Sequence, residues 1–153
     1  MTPIQDEIKQ RKPFSSLEEE TALALARTAD QVHRPFDDLF KAHGITGTQY
    51  NVLRILRGAG PQGIPCSEIA GRMVTRDPDI TRLLDRMEKL GLCTRNRDNK
   101  DRRVILSRIT PQGMELLKQL DRPVGELNKK ILGHMGENKL RSLCRLLEAA
   151  RNG

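Results

Sequence analysis

The sequence predicts a mainly α chain with one small β-hairpin, an α+β fold, on the strength of three observations. Apolar residues recur at spacings of three and four through both ends and the middle of the chain. A single pair of short β-prone runs, 92–97 and 104–109, flanks a polar, charged turn. Glycine and proline mark the boundaries, at Gly44, within 58–63, at Pro78, at Gly91 and at Pro111. The 153 residues fit one ordinary domain, long enough to bury a core without staples.

Residues 1–43 read as a long helix. Phe14, Ser16 and Glu19 supply a hydrophobic staple, an N-cap and a capping-box acid. Leu17, Leu23, Val32, Phe36, Leu39 and Phe40 carry the apolar pattern. Pro35 predicts a kink or break near Arg34, because proline removes one helical hydrogen bond. Gly44 is the C-cap, and Thr46 opens a second helix holding Tyr50, Leu53 and Leu56. The stretch 58–63 is a loop.

The middle segment, residues 44–110, continues with a short helical stretch from Ser67 to Met73, with Ile69 and Ala70 inward. Met73-Val74-Thr75-Arg76 form a turn. Asp77 and Pro78 then read as N-cap and first residue of the next helix. Ile80, Leu83, Leu84, Met87 and Leu90 make its apolar stripe; Asp79, Arg82, Arg86 and Lys89 occupy the opposite face. Gly91 stops it. A short helix, a turn and a second helix with a basic outer face follow the helix-turn-helix plan, whose second helix enters a DNA major groove. A basic stripe alone is more often a solvated face. The following hairpin strengthens the reading, since residues 95–108 hold six Lys/Arg against two Asp. Such a tip can reach phosphates or a narrow minor groove. Asp101, two residues before Arg103, is placed to hold that guanidinium in a bidentate pair.

Residues 111–153 return to helices. Thr110 and Pro111 are an N-cap and first-position pair, followed by Met114, Leu116, Leu117 and Leu120. Pro123 predicts a bend. A last helix carries Leu140, Leu143, Leu146 and Leu147. Both terminal segments are too apolar to stand alone, so they are expected to pack on each other and on a second copy of the chain.

Charge separates these segments. The net is −2 over 1–43, +6 over 44–110 and +3 over 111–153, giving +7 for the chain. The middle is therefore the expected polyanion surface. Only Phe14, Phe36, Phe40 and Tyr50 are aromatic, too few for platforms that stack single-stranded bases. No apolar run approaches the roughly 18 residues of a membrane span. Met1 to Lys12 hold charges of both signs and no apolar signal region, so the expected location is cytoplasmic. Cys66, Cys93 and Cys144 fit neither a disulfide framework nor a metal knuckle.

One stretch carries a family resemblance. It begins with Leu83-Leu84-Asp85-Arg86-Met87-Glu88-Lys89-Leu90-Gly91-Leu92 and Arg95. Asp98-x-x-Asp101-Arg102-Arg103 and Ile109-Thr110-x-x-Gly113 complete it. Residues 45–115 resemble the winged helix-turn-helix core of the multiple antibiotic resistance regulator (MarR) family. The resemblance implies a homodimer in which both chain ends form the dimerisation module. It also implies binding to a pseudo-palindromic operator in double-stranded DNA, with repression released by a small ligand or by thiol oxidation. Matched position by position, Thr81 and Arg82 correspond to residues that read or approach bases, and Arg86 to a backbone-contacting or structural arginine. Asp101 and Arg103 correspond to the wing pair whose arginine enters the minor groove, with Lys100 and Arg102 beside it. Thr75, Arg76 and Asp79 lie at the start of the reading helix. Asp77 and Asp79 depart from expectation, since two acids there repel phosphates; Asp79 could instead accept from a cytosine amino group.

The resemblance places an effector, anionic or aromatic in character, in a crevice lined by His33, Phe36, Phe40, Tyr50 and Arg54. Those aromatics also serve as ordinary core. Cys66 heads a short helix where a thiol can be activated, yet a passive half-buried thiol is the simpler reading, and Cys93 and Cys144 read as packing residues. His33 with Asp37 and Asp38 could bind a metal, but surface helix charges explain the same pattern, so no metal or cofactor is assigned. No nucleophile elbow, phosphate loop or zinc-protease motif is present, so the chain does not read as an enzyme. The competing reading is a dimeric interaction module whose basic face meets an acidic partner protein.

Overall fold

Seven helices and a three-stranded sheet succeed one another in the computed structural model, which describes residues 1–153. In chain order these are α1 (Pro3–Glu7), α2 (Leu17–Ala42), α3 (Gly47–Ala59), β1 (Ile64–Pro65), α4 (Cys66–Arg72) and α5 (Ile80–Lys89). β2 (Cys93–Arg97), β3 (Ile105–Ile109), α6 (Pro111–Leu132) and α7 (Glu137–Arg151) complete it, with a 3-10 turn, Gly133–Met135, before α7. β3 is central, antiparallel to both neighbours, pairing Ser107 with Ile64 of β1 and with Arg95 of β2.

Helix ends follow their local chemistry. The Ser16 hydroxyl accepts from the Glu19 N–H, and Thr46 does the same for Gln49, whose side chain reaches back to the Thr46 N–H. Glu19 reaches one residue further than a capping box requires: Oε2 accepts from the Ser15 N–H at 2.7 Å and from its hydroxyl. α2 and α5 each end in a glycine at positive φ, Gly44 at 77° and Gly91 at 76°. After each glycine a buried residue closes the turn. The Ile45 N–H donates to Phe40 O, and the Leu92 N–H to Met87 O, pairing apolar side chains across the helix end.

One continuous core joins the three charge segments. Val52, Leu53 and Leu56 of α3 meet Ile69 of α4, Leu83, Leu84 and Met87 of α5, and Leu117, Leu120 and Val124 of α6, with Phe40 from α2. The boundaries at 43 and 110 are therefore turns in the chain and do not divide its packing.

Five expectations are corrected. Of the kink or break expected near Arg34, the break does not occur: α2 runs through Pro35 as one helix, since one missing hydrogen bond is tolerable in a 26-residue helix. α5 begins two residues later than expected: Asp79, not Asp77, is its N-cap. α4 buries Ile69 but leaves Ala70 exposed. The hairpin is the larger part of a three-stranded sheet, because Ile64–Pro65 adds to β3. Cys144 is exposed, because α7 buries none of its residues within one chain.

Candidate nucleic-acid interface

The turn before α5 is held from both sides. Asn51 of α3 accepts the Val74 N–H at 2.8 Å, and Asp77 Oδ1 accepts the Asp79 N–H at 2.8 Å. Thr75 and Arg76 are exposed on this pinned turn. Asp79 Oδ1 accepts the Arg82 N–H at 3.0 Å, which satisfies an orphan donor of the first helical turn. Its other oxygen lies 3.7 Å from Arg82 Nε. Thr81, Arg82 and Arg86 are exposed, opposite the buried Leu83, Leu84 and Met87.

The acids on α5 hold Arg95 of β2. Its guanidinium, only 20% exposed, pairs with Asp85 and lies 3.5 Å from Glu88. The Asp85 bond raises the Arg95 pKa against the opposing effect of burial. The base of the wing is thus fixed to the helix expected to read bases. Arg108 is also occupied, donating to Pro61 O at 3.0 Å and Gln62 O at 3.2 Å. Arg97 donates to Arg102 O at 2.7 Å and shapes the tip. That leaves Lys100, Arg102 and Arg103 as the exposed cations of the tip itself.

The Asp101–Arg103 pair forms as the spacing predicts. Asp101 Oδ1 accepts the Arg103 backbone N–H at 3.1 Å and Nε at 3.2 Å, while Oδ2 faces Nη2 at 3.4 Å. Arg103 remains 91% exposed, so the guanidinium is held by one carboxylate and otherwise faces solvent. The Arg103 side chain, then its backbone N–H, holds the Asp101 carboxyl below its ordinary range. A depressed folded-state value means that the pair is present at neutral pH and opens only as pH falls through that lowered value. An NMR pH titration of the Asp101 carboxyl should therefore show a midpoint below that of an unpaired aspartate; an ordinary midpoint would remove the clamp.

The residues proposed for an effector are partly brought together. Phe40 is buried in the core and stacks on Tyr50 at 4.3 Å between ring centroids, with Phe36 at 6.3 Å from Phe40. Phe40 is thus a packing residue. Arg54 is exposed, donates to the Tyr50 hydroxyl at 3.0 Å and lies over its ring. His33 is exposed a helical turn before Phe36. One turn beyond Arg54, Arg57 forms a bidentate pair with Asp121 of α6 at 2.9 and 3.0 Å.

Two of the thiols are quiet. Burial pushes the Cys66 thiol up and carries Cys93 to about 11, so neither supplies much thiolate at neutral pH. No three His, Cys, Asp or Glu side chains cluster as metal ligands, and no helix is long and apolar enough to cross a membrane. The sequence did not single out Asn51, and it marked Arg95 only as part of the family resemblance, without its partners Asp85 and Glu88, since neither residue lies within a local spacing that names its partner. Both act across distant elements.

Comparison with known proteins fits this geometry. A model of the MarR family matches residues 45–105. A MarR transcription factor from Planctomyces limnophilus is 39% identical in sequence, with 90% of this chain and 99% of that chain covered and a TM-score of 0.68. The homoprotocatechuate degradative operon repressor of Escherichia coli is 27% identical over 126 residues, covering 82% of this chain and 84% of its own length. The HTH-type transcriptional regulator YkoM of Bacillus subtilis is 31% identical over 80 residues, a match spanning 51% of YkoM. The pinned turn before α5, the clamped wing arginine and these likenesses converge: the chain belongs to the MarR family of winged helix-turn-helix transcription regulators.

Proposed function

We propose that this regulator is a homodimeric repressor that binds a pseudo-palindromic operator in double-stranded DNA. α5 enters the major groove, and the tip carrying Lys100, Arg102 and Arg103 reaches the flanking minor groove. The observation that carries the reading is the wing arginine itself, exposed and held by Asp101 on a wing whose base is tied to α5 through Arg95 and Asp85. Phosphate contacts would supply most of the affinity, and base contacts the selectivity.

The second copy of the chain is supported by what one copy leaves bare. α7 buries no residue, Leu146 is 68% exposed and Leu17 of α2 is 73% exposed, with Leu23 and Leu25 also exposed on α2. Such long apolar faces gain most by burial against a partner. Two-fold pairing would set the two α5 helices about 34 Å apart, one turn of DNA.

An anionic or aromatic effector would act beside Tyr50 and Arg54. There it meets a cation one helical turn from the Arg57–Asp121 couple that ties α3 to α6. It would then bias the separation of the reading helices. A ligand that binds at this place and leaves operator affinity unchanged contradicts that route.

Selection from a random duplex pool tests the binding claim. The expected product is an inverted repeat with half-sites about 10 base pairs apart, centre to centre. On it, Arg82→Ala should lose about tenfold in affinity, the usual size for a base-reading arginine, and much less on random duplex. If the basic face serves an acidic partner protein, no sequence is enriched.

A further inference from the structure

We infer that Asp79 is a positioning residue for base recognition, holding Arg82 toward a guanine as Asp101 holds Arg103 at the wing. This rests on the DNA-binding reading above and assigns one residue its part in operator selectivity. The two acids use the same device. Asp101 Oδ1 accepts the backbone N–H of Arg103 at 3.1 Å, and the carboxylate also faces that residue's guanidinium at 3.2 and 3.4 Å. Asp79 Oδ1 accepts the backbone N–H of Arg82 at 3.0 Å, and Oδ2 lies 3.7 Å from its Nε. In both, one carboxylate accepts the main-chain N–H of an arginine and faces that arginine's charged head, through hydrogen bonds at Arg103 and as a 3.7 Å ion pair at Arg82. Each arginine is otherwise exposed, Arg82 on the reading helix and Arg103 on the wing.

The chemistry of the approach supports a role beyond capping. Contact at Nε leaves both terminal nitrogens of Arg82 free, and those are the donors that meet O6 and N7 of a guanine. An arginine already restrained loses less rotamer freedom when it binds. In solvent such an exposed pair contributes little, which makes stability a poor reason for it. In the groove, where water is displaced, the same pair is stronger. Asp79 also repels phosphates on any sequence, so it raises selectivity from both sides: it favours the aligned contact and penalises the rest. With both carboxylate oxygens directed to Arg82, acceptance from a cytosine amino group is not the arrangement that the free protein prepares.

Serine separates capping from alignment, because it is an N-cap comparable to aspartate but carries no charge to hold the guanidinium. Asp79→Ser, Asp79→Ala and Arg82→Lys would be compared with the wild type in the full-length chain. The measurements are urea stability and fluorescence anisotropy on a duplex selected by the wild type and on a random duplex. The expected result for Asp79→Ser is stability close to the wild type and a selected-to-random affinity ratio lower by about tenfold, much of it from tighter random binding. In an Arg82→Lys background, Asp79→Ser should cost clearly less selectivity than in the wild type, because only the phosphate repulsion, and not the alignment of the arginine, remains to be lost. Replacing the contacted guanine by 7-deazaguanine should weaken the wild type more than Asp79→Ser. An unchanged ratio in Asp79→Ser, or equal losses on both duplexes, overturns the inference and leaves Asp79 a cap. A wild type that selects no sequence overturns the DNA-binding reading itself.

Discussion

Gly113→Ala is expected to destabilise the protein by about 3 kcal/mol or more, the upper end for a forced overpacking. A Cβ at Gly113 would stand 2.5 Å from the Leu92 carbonyl oxygen, 2.8 Å from Ile109 Cγ1 and 3.2 Å from Leu53 Cδ2. The first of these is backbone, and that backbone cannot move freely. Leu92 O accepts the Thr110 N–H at 3.1 Å, Thr110 donates its hydroxyl to Gly91 O, and the same hydroxyl oxygen accepts the Gly113 N–H at 3.0 Å. This knot fastens the end of α5, the end of β3 and the start of α6 together. It gives Thr110-x-x-Gly113 a physical reason: threonine ties the three ends, and glycine lets them touch. Gly58→Ala is the control, since nothing lies within 4 Å of its Cβ position and its φ is helical. It should stabilise by about 0.4–1 kcal/mol, through a less flexible unfolded chain. Urea melts at one fixed protein concentration measure both. Equal and small effects at the two positions would refute the close approach.

Arg103→Ala is expected to weaken binding by about a hundredfold, since each dimer loses two charged minor-groove contacts. The slope of log affinity against log salt should fall in magnitude by about two, one for each lost arginine. The dimer should be unaffected, because the Arg103 side chain is 91% exposed and its one charged partner, Asp101, lies on the same wing. Asp101→Ala keeps the charge and removes the clamp. It should therefore retain the salt slope while losing part of the affinity, the part that came from holding the guanidinium ready. The pair of variants separates charge from orientation. Wild-type affinity in Arg103→Ala would end the wing's role in binding, and loss of the dimer would turn that residue into a structural one.

Local chemistry makes much of this molecule legible. The spacing of Leu83, Leu84 and Met87 marks the face that α5 turns to the core, and all three are buried. The two β-prone runs pair as β2 and β3, and Asp101 meets Arg103 at the spacing that suggests it. Elsewhere the deciding partner is remote or the local choice is degenerate. Asp77-Pro78-Asp79 offers two capping acids around one proline; Asp77 instead turns the chain by accepting the Asp79 N–H, which leaves Asp79 to cap. β1 is two residues long and exists only because Ile64 and Pro65 meet Ser107 and Leu106 of β3. α1 is hidden in the sequence because Met1 to Lys12 look polar, yet Ile4 and Gln5 are buried, Gln5 donates to Lys12 O and Glu7 pairs with Arg27. Cys144 reads as core because α7 is apolar, but that apolar face has no counterpart inside one chain.

Selective binding of DNA by the wild-type dimer underlies every reading of the basic face, and a salt-titrated shift assay decides it. The duplex is the region just upstream of this protein's own coding sequence, set against a random duplex of equal length. Tight binding to the first, weaker binding to the second, and a steep loss of both with salt are the expected results. Equal, weak binding to the two duplexes, together with no enrichment from a random pool, would contradict DNA selectivity and assign the basic face to an acidic protein partner.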